Sequence, residues 1–351
     1  MFEPNNHSKW RIGWNPVSEE KQKEATEVLR EFYGMEPTSI HQVDEWEQAS
    51  NNFRIETSVG FFLLRKNIWI KESADLNLVG EVMDCLRGVG VKIPAIVRTQ
   101  KGDFFVARGG NLWQLFPFIY GDHYRGEKGE LAESVEAVAL MCRTFLEMDK
   151  AKFGSIKSTS LSFDDSSWKE LSSEFEEEDS KLNALAKEFR FEIENFAKDI
   201  LLNFGDEKTF RKSVVHGDIH PHNFLFENGK LRAILDFGNI AWDYIYADIA
   251  YACHRLVRQY VVCEGKPFEE TLEAGVRIFM DNFLKICPLT TAEIRLIPVF
   301  MQRVLLSKIY LISRRYIWGI FTLNIARFEI GKCVGLLREV EEFKKIFILF
   351  R

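Results

Sequence analysis

VVHGDIHPHNFLF, residues 214–226, gathers three of the seven histidines, one aspartate and one asparagine between an apolar pair and an apolar triplet. Thirteen residues after Asn223, Asp236 opens the tripeptide Asp236-Phe237-Gly238. A metal cluster is one chemistry these residues could serve. Asp218-Ile219-His220 would begin a two-metal hydrolytic site, but such a site needs further carboxylate, Asn and His ligands. Beyond the Asp236 stretch, the only later histidine is His254, in a helix-patterned segment. Zinc held by His216, His220 and His222 would have no cysteine or fourth ligand at a helpful spacing. Phosphoryl transfer asks for something different: a carboxylate at the attacking hydroxyl, then an Asn and an Asp holding magnesium against nucleotide phosphates. Asp218, Asn223 and Asp236 come in that order.

Outward from the motif, Gly229-Lys230 forms a turn, and Leu231 to Leu235 is a short apolar strand that delivers Asp236. Upstream, residues 18–33 have a Ser start, acids in the first turn and apolar spacing at Ala25, Val28, Leu29 and Phe32, which predicts an amphipathic helix ended by Gly34. Residues 53–66 alternate and break at Ser58-Val59-Gly60, a hairpin signature. Helical spacing returns at 76–88, Pro94 and the following AIVRT open another expected strand, and residues 104–121 read as two strands around a Gly-Gly turn. From residue 129 the pattern is mainly helical, interrupted by the quoted motif. The outline is α+β: a mixed-sheet part followed by a helical part.

A length of 351 residues favours two lobes, and 46% apolar residues with thirty Phe provide ample core. The net charge of −6 comes without basic runs, which argues against nucleic acid as a partner. Six scattered cysteines with no C-x-x-C read as reduced, buried small hydrophobes in a cytosol. The N-terminus lacks a signal-peptide pattern. The apolar run Ile294 to Ile312 carries Arg303 and Lys308, costly at a bilayer centre, and reads as buried helix. The expectation is a cytoplasmic protein with no membrane partner; the oligomeric state stays open.

Protein kinases use H-R-D-L-x-x-x-N followed by D-F-G. His216-Gly217-Asp218-Ile219-His220-Pro221-His222-Asn223, with Gly for Arg, resembles the aminoglycoside phosphotransferase and choline kinase superfamily. DYIYADIAYA resembles that family's D-P-x-x-x-D-L-A segment, and residues 50–65 resemble its first hairpin. The spacing is nearest to type II homoserine kinases and spore-coat kinase-like members, and the likeness runs over most of residues 18–320. Two departures stand out: His222 sits where many members have Gly, and Arg65 replaces the commoner Lys, turning a point charge into a fork.

The resemblance implies a protein-kinase-like two-lobed fold that binds ATP and Mg2+. It places an N-terminal mixed β-sheet lobe over 1–117, a hinge near 114–117, and a larger helical lobe over 118–351 with catalytic loop 216–223 and metal loop 236–238. Asp218 would be the catalytic carboxylate, Asn223 and Asp236 the metal ligands, and Asp248 the brace of the loop. Arg65 would meet the nucleotide phosphates, with Lys66 a competitor on the opposite strand face. Ser50, Asn52, Gln114 and Phe116 complete the nucleotide set. Glu81 or Glu72 would partner Arg65. His216 reads as structural; His220 either meets the transferred phosphate or is a surface imidazole.

The function so implied is transfer of the ATP γ-phosphoryl group to a hydroxyl of a small molecule such as an amino sugar, an amino alcohol or a homoserine-like metabolite. A catalytically silent kinase-like nucleotide binder or scaffold is the alternative. A protein kinase fits less well, because no G-x-G-x-x-G or A-P-E segment is present. The acidic stretch Asp164, Asp165, Glu170, Glu174, Glu176, Glu177, Glu178 and Asp179, with Trp168 in it, would attract an amine acceptor; a solvated helix face is the competing reading.

Overall fold

The structure, a computed structural model, describes residues 14–43, 51–67, 73–156, 164–177, 181–203 and 210–350. Its contacts group into two compact units, Met1–Tyr124 with His222–Gly238, and Arg125–Pro221 with Asn239–Arg351. The sequence expectation divides the chain once, between 117 and 118. The grouping differs from that partition because residues 122–123 and the 224–234 hairpin pair with each other.

In the first unit, helix α1 (Glu19–Val28) starts at Ser18, whose hydroxyl accepts from the Lys21 N–H, with Glu19 and Glu20 at the positive end of the helix. A further turn, Leu29–Tyr33, ends at Gly34 in the left-handed region. A six-stranded antiparallel sheet follows the order β1 (Trp14–Pro16), β2 (Pro37–Val43), β3 (Asn52–Thr57), β4 (Gly60–Asn67), β6 (Asn111–Pro117), β5 (Val106–Arg108). Alternation sends Phe53, Ile55, Leu64, Trp113 and Leu115 to one face, where they pack with Ala25 and Val28 of α1 and Leu29 of the turn that follows it. Helix α2 (Ser73–Gly88) lies between β4 and β5 in sequence. The strand expected after Pro94 is only an isolated bridge, Val97 to Leu115: proline lacks an N–H, and no further pairs follow.

A second sheet in this unit orders β10 (Lys230–Ile234), β9 (Phe224–Glu227) and β7 (Asp122–His123). Its hairpin turns at Asn228-Gly229, both with positive φ, the type I′ geometry that matches strand twist.

The second unit is helical: α3 (Lys128–Leu146), α4 (Lys150–Phe153), α5 (Asp165–Glu176), α6 (Asn183–Asn203), α7 (Ile245–Glu264), α8 (Phe268–Ile286), α9 (Thr291–Ile317) and α10 (Leu323–Phe347). A two-stranded ladder of β8 (Lys212–Val215) and β11 (Ala241–Tyr244) joins them. Helix α9 begins with a Thr290–Glu293 capping box and packs against α6, α7 and α10. By length and composition it could cross a membrane, and 67% of its most apolar window is buried against the rest of the protein. Four cysteines are buried as expected. Cys85 and Cys263 are exposed, Cys85 on an outer position of α2 and Cys263 in the last turns of α7.

Candidate active site

The residues singled out in the sequence fall into two groups, one in each unit. In the helical unit, β8 runs into the loop that carries Asp218. The Asp248 carboxylate, in the first turn of α7, accepts from the His216 N–H at 2.5 Å and the Gly217 N–H at 2.9 Å. Burial pushes Asp248 up, against the pull of His216 and the two N–H groups. The buried His216 ring accepts from the Asp218 N–H through Nδ1 at 3.3 Å. Gly217 has φ +81°, and a Cβ there would lie 2.6 Å from the Asn239 carbonyl oxygen. Both facts account for glycine at the position where protein kinases carry arginine.

Asp218 is flanked by two cationic or potentially cationic side chains. Lys308 of α9 donates to Oδ1 at 3.1 Å, and His220 Nε2 lies 3.4 Å from Oδ2. Burial alone would raise the Asp218 carboxyl. Lys308 and His220 outweigh it and hold the group well below the usual carboxylate range. Lys308 is held charged in turn: burial works against it, but Asp218 and Tyr251 prevail. Lys308 also sits 4.5 Å over the Tyr251 ring. Two helical turns onward is Arg315, half-buried, lowered by burial and steadied by the Asp218 charge. The sequence reading did not connect Lys308 or Arg315 with Asp218.

In the sheet unit, the Asn223 carbonyl accepts from the Leu235 N–H at 2.7 Å, which sets Asn223 opposite the end of β10, where Asp236 follows. Asp236 has φ +64°, a left-handed conformation that Asp tolerates better than most residues and that recurs at functional positions. Its Oδ1 accepts from Arg65 Nη1 at 2.9 Å, and Arg65 Nε donates to Asn52 Oδ1 at 3.2 Å. Asn52, Arg65 and Gln114 are cross-strand partners and share one sheet face; Phe116 pairs with Leu63 on that face. Lys66 points the other way, to Glu24 at 3.1 Å and over Trp113. Glu81 is half-buried on α2. Ser50 and Glu72 lie outside the described residues.

Much of the acidic stretch is engaged within its own unit. Glu170 and Glu174 of α5 hold Arg314 of α9 at 2.8 and 2.6 Å, and Tyr310 donates to Glu170. Asp164 caps α5 through the Ser167 N–H, and Glu176 meets Arg190 at 3.2 Å. Glu178, Asp179 and the Asp165 side chain lie outside the described residues.

The donor set suits magnesium rather than a softer ion. Among the described residues no group of three or more His, Cys, Asp or Glu gathers as ligands, whereas Asn223 and Asp236 bring hard oxygens to one end of a hairpin. Magnesium takes one or two such ligands and completes its shell with phosphate and water.

The model of the phosphotransferase enzyme family, APH, matches residues 45–275, more than half of the chain. The chain belongs to this family. Homoserine kinase of Gluconobacter oxydans (strain 621H) is 22% identical over 308 residues, 84% of this chain and 88% of the relative. Among solved structures, spectinomycin phosphotransferase in complex with ADP and spectinomycin aligns with a TM-score of 0.67 at 12% identity, over 91% of this chain and 98% of that one. An amicoumacin kinase bound to AMP-PNP and Ca2+ aligns at 0.66 and 14%, over 95% and 98%. A microcompartment-associated aminopropanol kinase aligns at 0.59 and 14%, over 93% and 98%. The likeness shows the fold: two-lobed, α+β and kinase-like, with an N-terminal mixed-sheet lobe and a larger helical C-terminal lobe.

Proposed function

We propose that the protein is an ATP-dependent kinase that transfers the γ-phosphoryl group to a hydroxyl of a small molecule. The observation that carries this reading is Asp218, a carboxylate kept ionised by Lys308 and His220 on a loop braced by Asp248. The acceptor hydroxyl donates to Asp218. As its oxygen bonds to phosphorus and the bond to ADP breaks, the hydroxyl proton passes to the Asp218 carboxylate. So acidic a carboxylate is a weak base. Its main work is orientation, with proton transfer late, as a loose transition state allows.

Asn223 and Asp236 would hold Mg2+, which neutralises phosphate charge when bound. Asp218 and Asn223 are five residues apart in sequence, the spacing of the kinase motif. Arg65 would meet the nucleotide phosphates from the face it shares with Asn52 and Gln114. The names of the relatives, kinases for homoserine, spectinomycin, amicoumacin and aminopropanol, support a small hydroxyl-bearing acceptor. A silent nucleotide-binding scaffold would be expected to have lost the carboxylate or a metal ligand, and this chain retains all three.

Acceptor-dependent ADP release tests the reading. With magnesium and ATP, turnover is expected for at least one hydroxyl compound, and Asp218→Asn should lower it about a hundredfold or more while ATP still binds. Equal turnover in folded Asp218→Asn protein overturns the assignment.

A further inference from the structure

The sheet face that carries Arg65 bears a second arginine in different surroundings. Residues 52 and 54 of β3 and 61, 63 and 65 of β4 alternate onto that face, with Arg54 opposite Leu63 and Asn52 opposite Arg65. Arg54 therefore lies about 7 Å along the strand from Asn52, on the side where Leu63 meets Phe116 and β6 runs out at Pro117. Its guanidinium carbon sits 4.6 Å from the Phe61 ring centre and 5.6 Å from that of Phe118, and Nη2 donates to the Tyr120 hydroxyl at 3.1 Å. Tyr120 meets Phe61 and Phe118 edge-on, at 5.9 and 4.9 Å. Arg54 and Phe61 are half-buried and Tyr120 is exposed, so the cluster reaches the surface.

The backbone where β6 ends has little to offer a base edge. Pro117 has no N–H, and the Phe118 N–H is already donated to the Phe61 carbonyl at 2.9 Å. A planar guanidinium held against an aromatic ring presents instead a flat, cationic surface, and every base has a π face that such a surface can hold. Adenine and guanine differ at their edges and share that face. We infer that Arg54, set by Phe61 and Tyr120, is the platform for the nucleotide base, and that this chain takes GTP as readily as ATP. The inference rests on the reading of the Arg65 face as the one that meets the nucleotide phosphates, with the ribose spanning the interval from Asn52 to Arg54.

Titration calorimetry on the full chain with magnesium, and with no acceptor present, compares ATP, GTP, adenosine and inorganic tripolyphosphate. In the wild-type protein the dissociation constants of ATP and GTP should agree within about fivefold. Arg54→Met should weaken ATP, GTP and adenosine about tenfold, the scale of one stacked base, and leave tripolyphosphate unchanged, which also reports that the variant is folded. Arg54→Lys, which keeps the charge without the plane, should recover little. Tyr120→Phe, at an exposed position, removes only the hydroxyl that fixes the guanidinium and should cost both nucleotides about two- to threefold. A preference for either purine beyond about fivefold, or an Arg54→Met protein that binds ATP like wild type or loses tripolyphosphate in step with it, overturns the platform and leaves the kinase reading standing. If Arg54→Met fails to fold, Tyr120→Phe and the wild-type comparison decide alone. Binding of neither ATP nor GTP to the wild-type protein sinks both readings.

Discussion

Arg314 and Arg315 are neighbours in sequence, and α9 turns them to opposite tasks. Arg314 is 8% exposed and answered by two carboxylates, so its charge is spent tying α5 to α9. Arg315 lies two turns beyond Lys308, on the face of α9 from which Lys308 reaches the Asp218 carboxylate. Because a helix separates adjacent residues by about 100°, one element can hold a structural charge and a chemical one without mixing them. The acidic residues of α5 belong to the structural side of that division.

The contrast can be broken most forcefully at Arg314. Arg314→Leu leaves Glu174, and in part Glu170, without their cation, and should cost about 2–3 kcal/mol in urea unfolding, because removing one member of a mostly buried pair strands the other. Turnover per folded molecule should stay near wild type. Wild-type stability would mean that the two faces do not differ as described.

The opposite face is probed by Lys308→Met through a pH profile. With Lys308 in place the folded-state pKa of Asp218 is depressed, so the carboxylate stays ionised as pH falls through the ordinary range near 4, and the stability it contributes is lost only below that. Without Lys308, burial pushes the group up. The acid limb of kcat/KM should then move to higher pH by about one unit or more; an unmoved limb would detach Lys308 from the chemistry.

His254 of α7 offers a smaller control on the structural side. Burial, then Arg255 and Arg258, hold its pKa well below the usual value near 6.5, so the folded state keeps it neutral. Stability is therefore full above about pH 6.5 and declines as pH falls and the unfolded chain takes up a proton. The contribution lost between pH 7.5 and 5.5 is at most about 1.4 kcal/mol. His254→Leu should show a correspondingly flatter pH dependence in urea melts, with no change in acceptor preference.

The parts of this architecture that were legible in sequence are those with local signals. The 53–66 hairpin announced itself by alternation, and the 229–235 strand by its Gly turn. Strands β1, β2, β7, β8 and β11 were not read: all but β2 span two to four residues, too few for alternation to register, and are fixed by partners distant in sequence. At Pro94 the reverse occurred, an apolar run read as a strand that found only one pairing. The order Asp218, Asn223, Asp236 was visible because it lies within one short stretch whose spacing resembles a known motif. Lys308 lies 90 residues from Asp218, and no local pattern joins them. A signal existed nonetheless: cations inside the apolar run 294–312 must find a counter-charge when the helix is buried, and Lys308 found Asp218.

Gly217 has a further consequence for what this chain can tolerate in the loop that carries Asp218. Every other L-residue would bring a Cβ against the Asn239 carbonyl and a backbone conformation it resists, at a position whose N–H also holds Asp248. Substitution of residue 217 in this chain would therefore disturb the backbone that carries Asp218 as well as its brace.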